Sequence, residues 1–137
     1  MLTWLQDQFL LCNFLNTWLS PTMGLVKMNC DAAIDEGRQL IGFGVILRDH
    51  AGRVLCSSWQ RVFAGCSPAI VEASAIFKGL HFALDIGVSL GLIESDASSV
   101  VDLINSPTVS FADIALVILD IKSLLVNFPN CSVSYVP

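Results

Sequence analysis

Residues 40–59 read LIGFGVILRDHAGRVLCSSW, and this stretch decides the fold class. Ile41, Phe43, Val45 and Leu47 alternate with Gly42, Gly44, Ile46 and Arg48, the two-residue period of a β-strand. Asp49-His50-Ala51-Gly52 is turn chemistry, and Val54 to Trp59 gives a further strand-like run, so the segment predicts a hairpin. Upstream, residues 25–33, LVKMNCDAA, also alternate, and the polar turn DEGRQ at 35–39 joins them to the hairpin. Three strands with short connections make an antiparallel meander.

Past the meander the pattern changes. From Pro68 to about Ile86 Gly79 is the one turn-forming residue, and Ala, Leu, Ile and Phe occupy nearly every face. This predicts a heavily packed helix, with Ser67 as its cap, Pro68 in the first turn and Gly87 as its stop. Residues 90–95, LGLIES, predict a short strand, and DASS at 96–99 begins a helix running to Ile104. A second long helix is expected from Phe111 to Asn127, packing through Ile114, Val117, Ile118, Ile121, Leu124 and Leu125. Cys131 to Val136 alternates as a final strand. The order predicts an α/β fold, a mixed five-stranded sheet flanked by helices.

The chain of 137 residues suits one domain with a substantial core. It is 54% hydrophobic and 14% charged, with a mean hydropathy of +0.69, yet no run reaches the roughly 18 apolar residues of a membrane span. The opening MLTWLQDQFLLCNFLNTWLS is greasy but carries Gln6, Asp7, Gln8 and Asn13. It lacks the basic start and cleavage site of a secretory signal, so residues 1–17 are expected to form a hydrophobic appendage and 18–137 the domain. No membrane partner is implied, and no feature fixes an oligomeric state. Five scattered cysteines without a C-x-x-C pair (Cys12, Cys30, Cys56, Cys66, Cys131) suggest reduced thiols and an intracellular location, cytoplasmic or nuclear. A net charge of −5 weighs against affinity built on a basic face.

Within the apolar run IVEASAIF at 70–77 stands one carboxylate, Glu72. If the first and fourth strands lie parallel and adjacent, Asp31 at the end of one and Asp96 at the end of the other reach the same lip of the sheet, with the helix bearing Glu72 over it. Carboxylates pressed together repel unless protonated or bridged by a cation. Hard oxygens with no nearby imidazole or thiolate suit Mg²⁺, with Mn²⁺ as a substitute. Each acid has a plainer reading: Glu72 on a solvated helix face, Asp96 as a helix N-cap, Asp31 as a strand terminator.

Residues 18–33, WLSPTMGLVKMNCDAA, resemble the W-x-x-P-x-x-G-x-x-K-x-N-x-D-x-A opening of plant ribonuclease H-like domains, found alone or at the tail of non-LTR retrotransposon polyproteins. GFGVILRDHAG at 42–52 is similar to that family's G-x-G-x-V-x-R-D-x-x-G hairpin. Val71-Glu72-Ala73 stands where the family has A-E-A, and Ile93-Glu94-Ser95-Asp96 looks like its V-E-S-D. The resemblance implies a ribonuclease H fold and Asp31, Glu72 and Asp96 as catalytic, metal-holding acids. It implies two Mg²⁺ ions and hydrolysis of the RNA strand of an RNA–DNA hybrid. It also implies recognition through 2′-hydroxyls in the minor groove. After a Val-Pro like Val136-Pro137 the family continues into R-x-x-N-x-x-A-D and a closing helix, which bring a fourth acid. This sequence stops at Pro137, so the final helix is expected to be missing and activity to be weakened.

The alternative is an inactive module that binds nucleic acid or protein. Asp102, Asp113 and Asp120 are expected as solvated helix charges, not as replacements for the fourth acid. His50 and His81 lack the context of a nucleophilic triad. Glu94, two residues before Asp96, is expected either to support the site or to serve structure. Trp4, Trp18 and Trp59 are expected to pack rather than to stack on bases.

Overall fold

Alternating apolar residues produce the expected meander in a computed structural model that describes residues 23–35, 37–38, 40–63, 67–108 and 113–137. Strands β1 (Val26–Asp35), β2 (Leu40–Arg48) and β3 (Val54–Phe63) pair antiparallel in sequence. Helix α1 (Pro68–Ile86) then crosses to β4 (Leu90–Ser95), which lies parallel to β1. Helices α2 (Ser98–Asn105) and α3 (Ala115–Leu125) lead to β5 (Ser132–Tyr135), parallel to β4. The sheet order is β3-β2-β1-β4-β5, with β1 at the centre.

Local chemistry fixes the corners. At the β2–β3 turn the Asp49 side chain accepts hydrogen bonds from the backbone N–H groups of Ala51 and Arg53, both at 2.9 Å. Gly52 there has φ +81°, a left-handed value open to glycine at little cost. For α1, Ser67 Oγ accepts from Ile70 N at 3.4 Å and Gly87, at φ +75°, closes the last turn with its N–H on the Ala83 carbonyl.

The core lies between the sheet and the helices. α1 packs on β1, β2 and α3, while α2 packs on β5 and α3. Met28, Leu47, Ile76, Leu80, Leu90, Ile93, Val100 and Ile121 are the largest of its fully enclosed side chains among the described residues. Gly79 lets α1 approach this closely: a Cβ there would stand 2.7 Å from Met28 Sδ and 3.1 Å from Val45 Cγ2.

Several boundaries differ from the sequence reading. β1 does not end at Asp31 but runs four residues further, because β2 continues to pair with it as far as Asp35↔Leu40. β3 likewise extends to Phe63 by pairing with Leu40. The last helix begins at Ala115; Asp113 and Ile114 form a turn before it. Its packed side holds Ile118 and Ile121, while Leu116 and Leu119 are exposed. The expected appendage at 1–17, most of the following linker, Trp4, Trp18, Cys12, Cys66 and Phe111 fall outside the described residues. Trp59 is partly exposed on β3. Cys30, Cys56 and Cys131 are free thiols. Among the described residues no helix is long and apolar enough to cross a membrane.

Candidate metal centre

Pairing of β1 with β4 ends at Asn29↔Glu94, while pairing of β1 with β2 continues. Two residues beyond that last pair, on each strand, stand Asp31 and Asp96. Asp31 is therefore held in a strand that has lost its neighbour on one side, and its partner on β2 is Gly44, which carries no side chain. Asp96 occupies the bend directly after β4. Glu72 sits in the second turn of α1, whose N-terminal end lies over this lip. Ligand oxygens of all three acids lie within 4.8 Å of one another; Asp31 and Glu72 are half-buried and Asp96 is exposed.

The plainer readings of these acids do not describe the geometry. Asp96 does not cap α2: Ala97 holds the cap position, without a side-chain cap hydrogen bond. Glu72 is not on a solvated face, since its Oε2 is buried with no hydrogen-bond partner. Burial pushes the Glu72 carboxyl up to about 8, helped by the nearby Asp96 and then Asp31. A group in that position holds its proton at neutral pH until a positive charge arrives.

A hard divalent cation fits this donor set. All the converging atoms are carboxylate oxygens, and the Glu72 carboxylate has an enclosed, unpartnered oxygen. Cys30 adjoins the cluster, but burial, with Glu72 and Asp31 adding to it, drives its thiol far above the ordinary range. Its sulfur is not among the converging ligand atoms, which leaves an all-oxygen donor set.

Among the described residues the other acids stay apart from the cluster. Asp102, Asp113 and Asp120 are exposed, as expected. Glu94 does not join the lip; it is buried and ion-paired with Lys27. The sequence reading missed that partner, although Lys27 stands in the quoted K-x-N-x-D motif. His50 is exposed in the hairpin turn. His81 is also exposed, its ring edge-on to Phe77 at 4.8 Å, so it lies outside the packed face of α1.

Comparisons with known proteins agree with this architecture. A family model described as reverse transcriptase-like matches residues 29–137. A protein of Arabidopsis thaliana, provisionally named a ribonuclease H protein, is 30% identical over 89 residues, which are 65% of this chain and 14% of that protein. The chain thus spans about one-seventh of the length of this curated relative. Ribonuclease H1 from the halophilic archaeon Halobacterium salinarum superposes with a TM-score of 0.71 at 20% identity, covering 83% of this chain and 86% of its own. LC11 ribonuclease H1, isolated from compost and solved in complex with an RNA/DNA hybrid, gives 0.71 at 15% identity, over 82% and 85%. At these identities the two structures speak for the fold.

Proposed function

The chain belongs to the reverse transcriptase-like family, and from that premise we propose that it is a divalent-metal-dependent endonuclease acting on the RNA strand of RNA–DNA hybrids. One observation carries this reading: three acids on separate elements bring ligand oxygens within 4.8 Å of one another, and Glu72 among them has an enclosed, unpartnered carboxylate oxygen. Such an arrangement is costly as bare charge. It becomes favourable when a cation is held.

Asp31, Glu72 and Asp96 would hold Mg²⁺, with Mn²⁺ as a substitute. The ion, when bound, supplies Lewis-acid polarisation of phosphodiester oxygens and a lowered pKa for an attacking water. The residues have separate tasks. Asp31, on the central strand, is the rigid member and sets the level of the site. Glu72 keeps its proton while the site is bare and gives it up as the cation enters, so its negative charge appears only when matched. Asp96, at the exposed rim, is the acid nearest an approaching phosphate. The net charge of −5 makes phosphate approach unfavourable without that neutralisation. Discrimination of RNA from DNA rests on 2′-hydroxyls displayed in the wide minor groove of the hybrid.

The same charge favours a second reading, a module without turnover that binds nucleic acid or protein only weakly, because only seven Lys and Arg are available for phosphate contacts. Labelled hybrid incubated with Mg²⁺ and either the wild type or Asp31→Asn separates the two. The nuclease reading expects cleavage of the RNA strand by the wild type, and at least 100-fold less by the variant, on the order of the loss of an essential electrostatic group. Equal cleavage by both proteins, or none by either, rejects it.

A further inference from the structure

Away from the acidic lip, Lys27 Nζ on β1 meets Glu94 Oε1 on β4, with the two side chains 3% and 5% exposed. Enclosing two charges costs several kcal/mol each, and an apolar pair of similar volume generally packs as well or better. Stability alone therefore gives no reason for this pair. A buried ion pair is best suited to specifying one arrangement among several that an apolar core would accept.

The arrangement at stake is the register of β1 against β4. These strands are parallel and separated in the chain by β2, β3 and α1, so no tight turn sets their alignment. Their ladder is short, Val26↔Leu90, Lys27↔Leu92, Met28↔Ile93 and Asn29↔Glu94, and its register shifts between Val26 and Lys27. Each residue of slippage moves one strand about 3.3 Å along the other. That distance rivals the 4.8 Å within which the three acids gather. Asp31 and Asp96 lie two residues past Asn29↔Glu94 on their respective strands, so this register alone sets them level.

Lys27 stands opposite Leu92 and reaches two residues forward along β4 to Glu94. Slippage in either direction would carry its ammonium away from that carboxylate and separate two enclosed charges, with the Arg48 guanidinium still opposite Lys27 on β2. We infer that the Lys27–Glu94 ion pair is a register lock, a positioning device that holds Asp31 and Asp96 level so that they can share a cation. The cation part rests on the proposed nuclease reading; the register part does not.

Two variants of the full chain test it. Lys27→Met with Glu94→Leu replaces the pair by apolar groups, and Lys27→Glu with Glu94→Lys reverses it. Register is read from cross-strand NOEs between the backbones of residues 29 and 94, and cation binding from Mn²⁺ titration followed by electron paramagnetic resonance. The apolar variant is expected to lose or divide the 29–94 NOEs and to bind Mn²⁺ at least about 10-fold more weakly, the scale of a lost supporting contact at a metal site. The reversed variant is expected to keep the wild-type NOEs and to bind within about threefold of wild type, which is under 0.7 kcal/mol. Wild-type NOEs in the apolar variant overturn the lock. If that variant does not fold, altered NOEs in the reversed variant overturn it equally, and wild-type ones support it. Absence of Mn²⁺ binding by the wild type would reject the nuclease reading while leaving the NOEs to decide the lock.

Discussion

Replacing Glu72 by glutamine keeps the side-chain shape and removes the one charge that the bare site tolerates least. The folded protein raises the Glu72 carboxyl from 4.5 to about 8, so it binds a proton that the unfolded chain releases. The associated stability is fully present below pH 4.5 and is lost as pH climbs through about 8. At about 1.4 kcal/mol per pH unit the whole interval is worth about 5 kcal/mol for an enclosed group. Glu72 is only half-buried, and solvent screening reduces this to about 2 kcal/mol. Thermal unfolding in chelator should therefore show Glu72→Gln melting about 8 °C above wild type at pH 9 and nearly level with it at pH 5. Excess Mg²⁺ should narrow or reverse the gap at pH 9, since binding stabilises the wild type by RT ln(1 + [L]/Kd) and the variant much less. A variant no more stable than wild type at pH 9 in chelator would refute the reasoning, because neither burial nor the neighbouring Asp96 and Asp31 would then penalise the Glu72 charge.

Other outcomes follow from the same geometry. Mg²⁺ binding at pH 7 should release about one proton, from Glu72, measurable by calorimetry in buffers of different ionisation enthalpy; the release should fall towards zero by pH 9.5, above the Glu72 value of about 8. Gly79→Ala should destabilise by about 1–2 kcal/mol in urea unfolding despite the better helix propensity of alanine, because its Cβ would meet Met28 Sδ at 2.7 Å. Ile93→Ala, at a fully enclosed position of β4, should cost about 3–4 kcal/mol by the same assay.

Much of the fold was legible because its signals are local. The alternation at 41–48, the turn chemistry of Asp49 to Gly52 and the Ser67-Pro68 start with its Gly87 stop each specify their element without tertiary help, and each matches the structure. Strand ends were less legible, because pairing decides them: Ala32 to Asp35 remain strand through β2, and no pattern within β1 announces where β4 departs. The site divided in the same way. Asp31, Glu72 and Asp96 could be singled out by type and by their motifs, but Asp96 alone looks like a helix cap, and only the fold shows Ala97 taking that role. Lys27 was hidden for a different reason. A lysine in an alternating strand ordinarily points to solvent, and its burial depends on a glutamate 67 residues later in the chain.

Soaking crystals of the full chain in Mn²⁺ and measuring anomalous difference density reads the proposed cation site without relying on catalysis. The geometry requires a peak in contact with Asp31, Glu72 and Asp96, abolished or displaced in Asp31→Asn. A well-diffracting wild-type crystal with no peak at that lip, or with manganese bound only elsewhere, would contradict it.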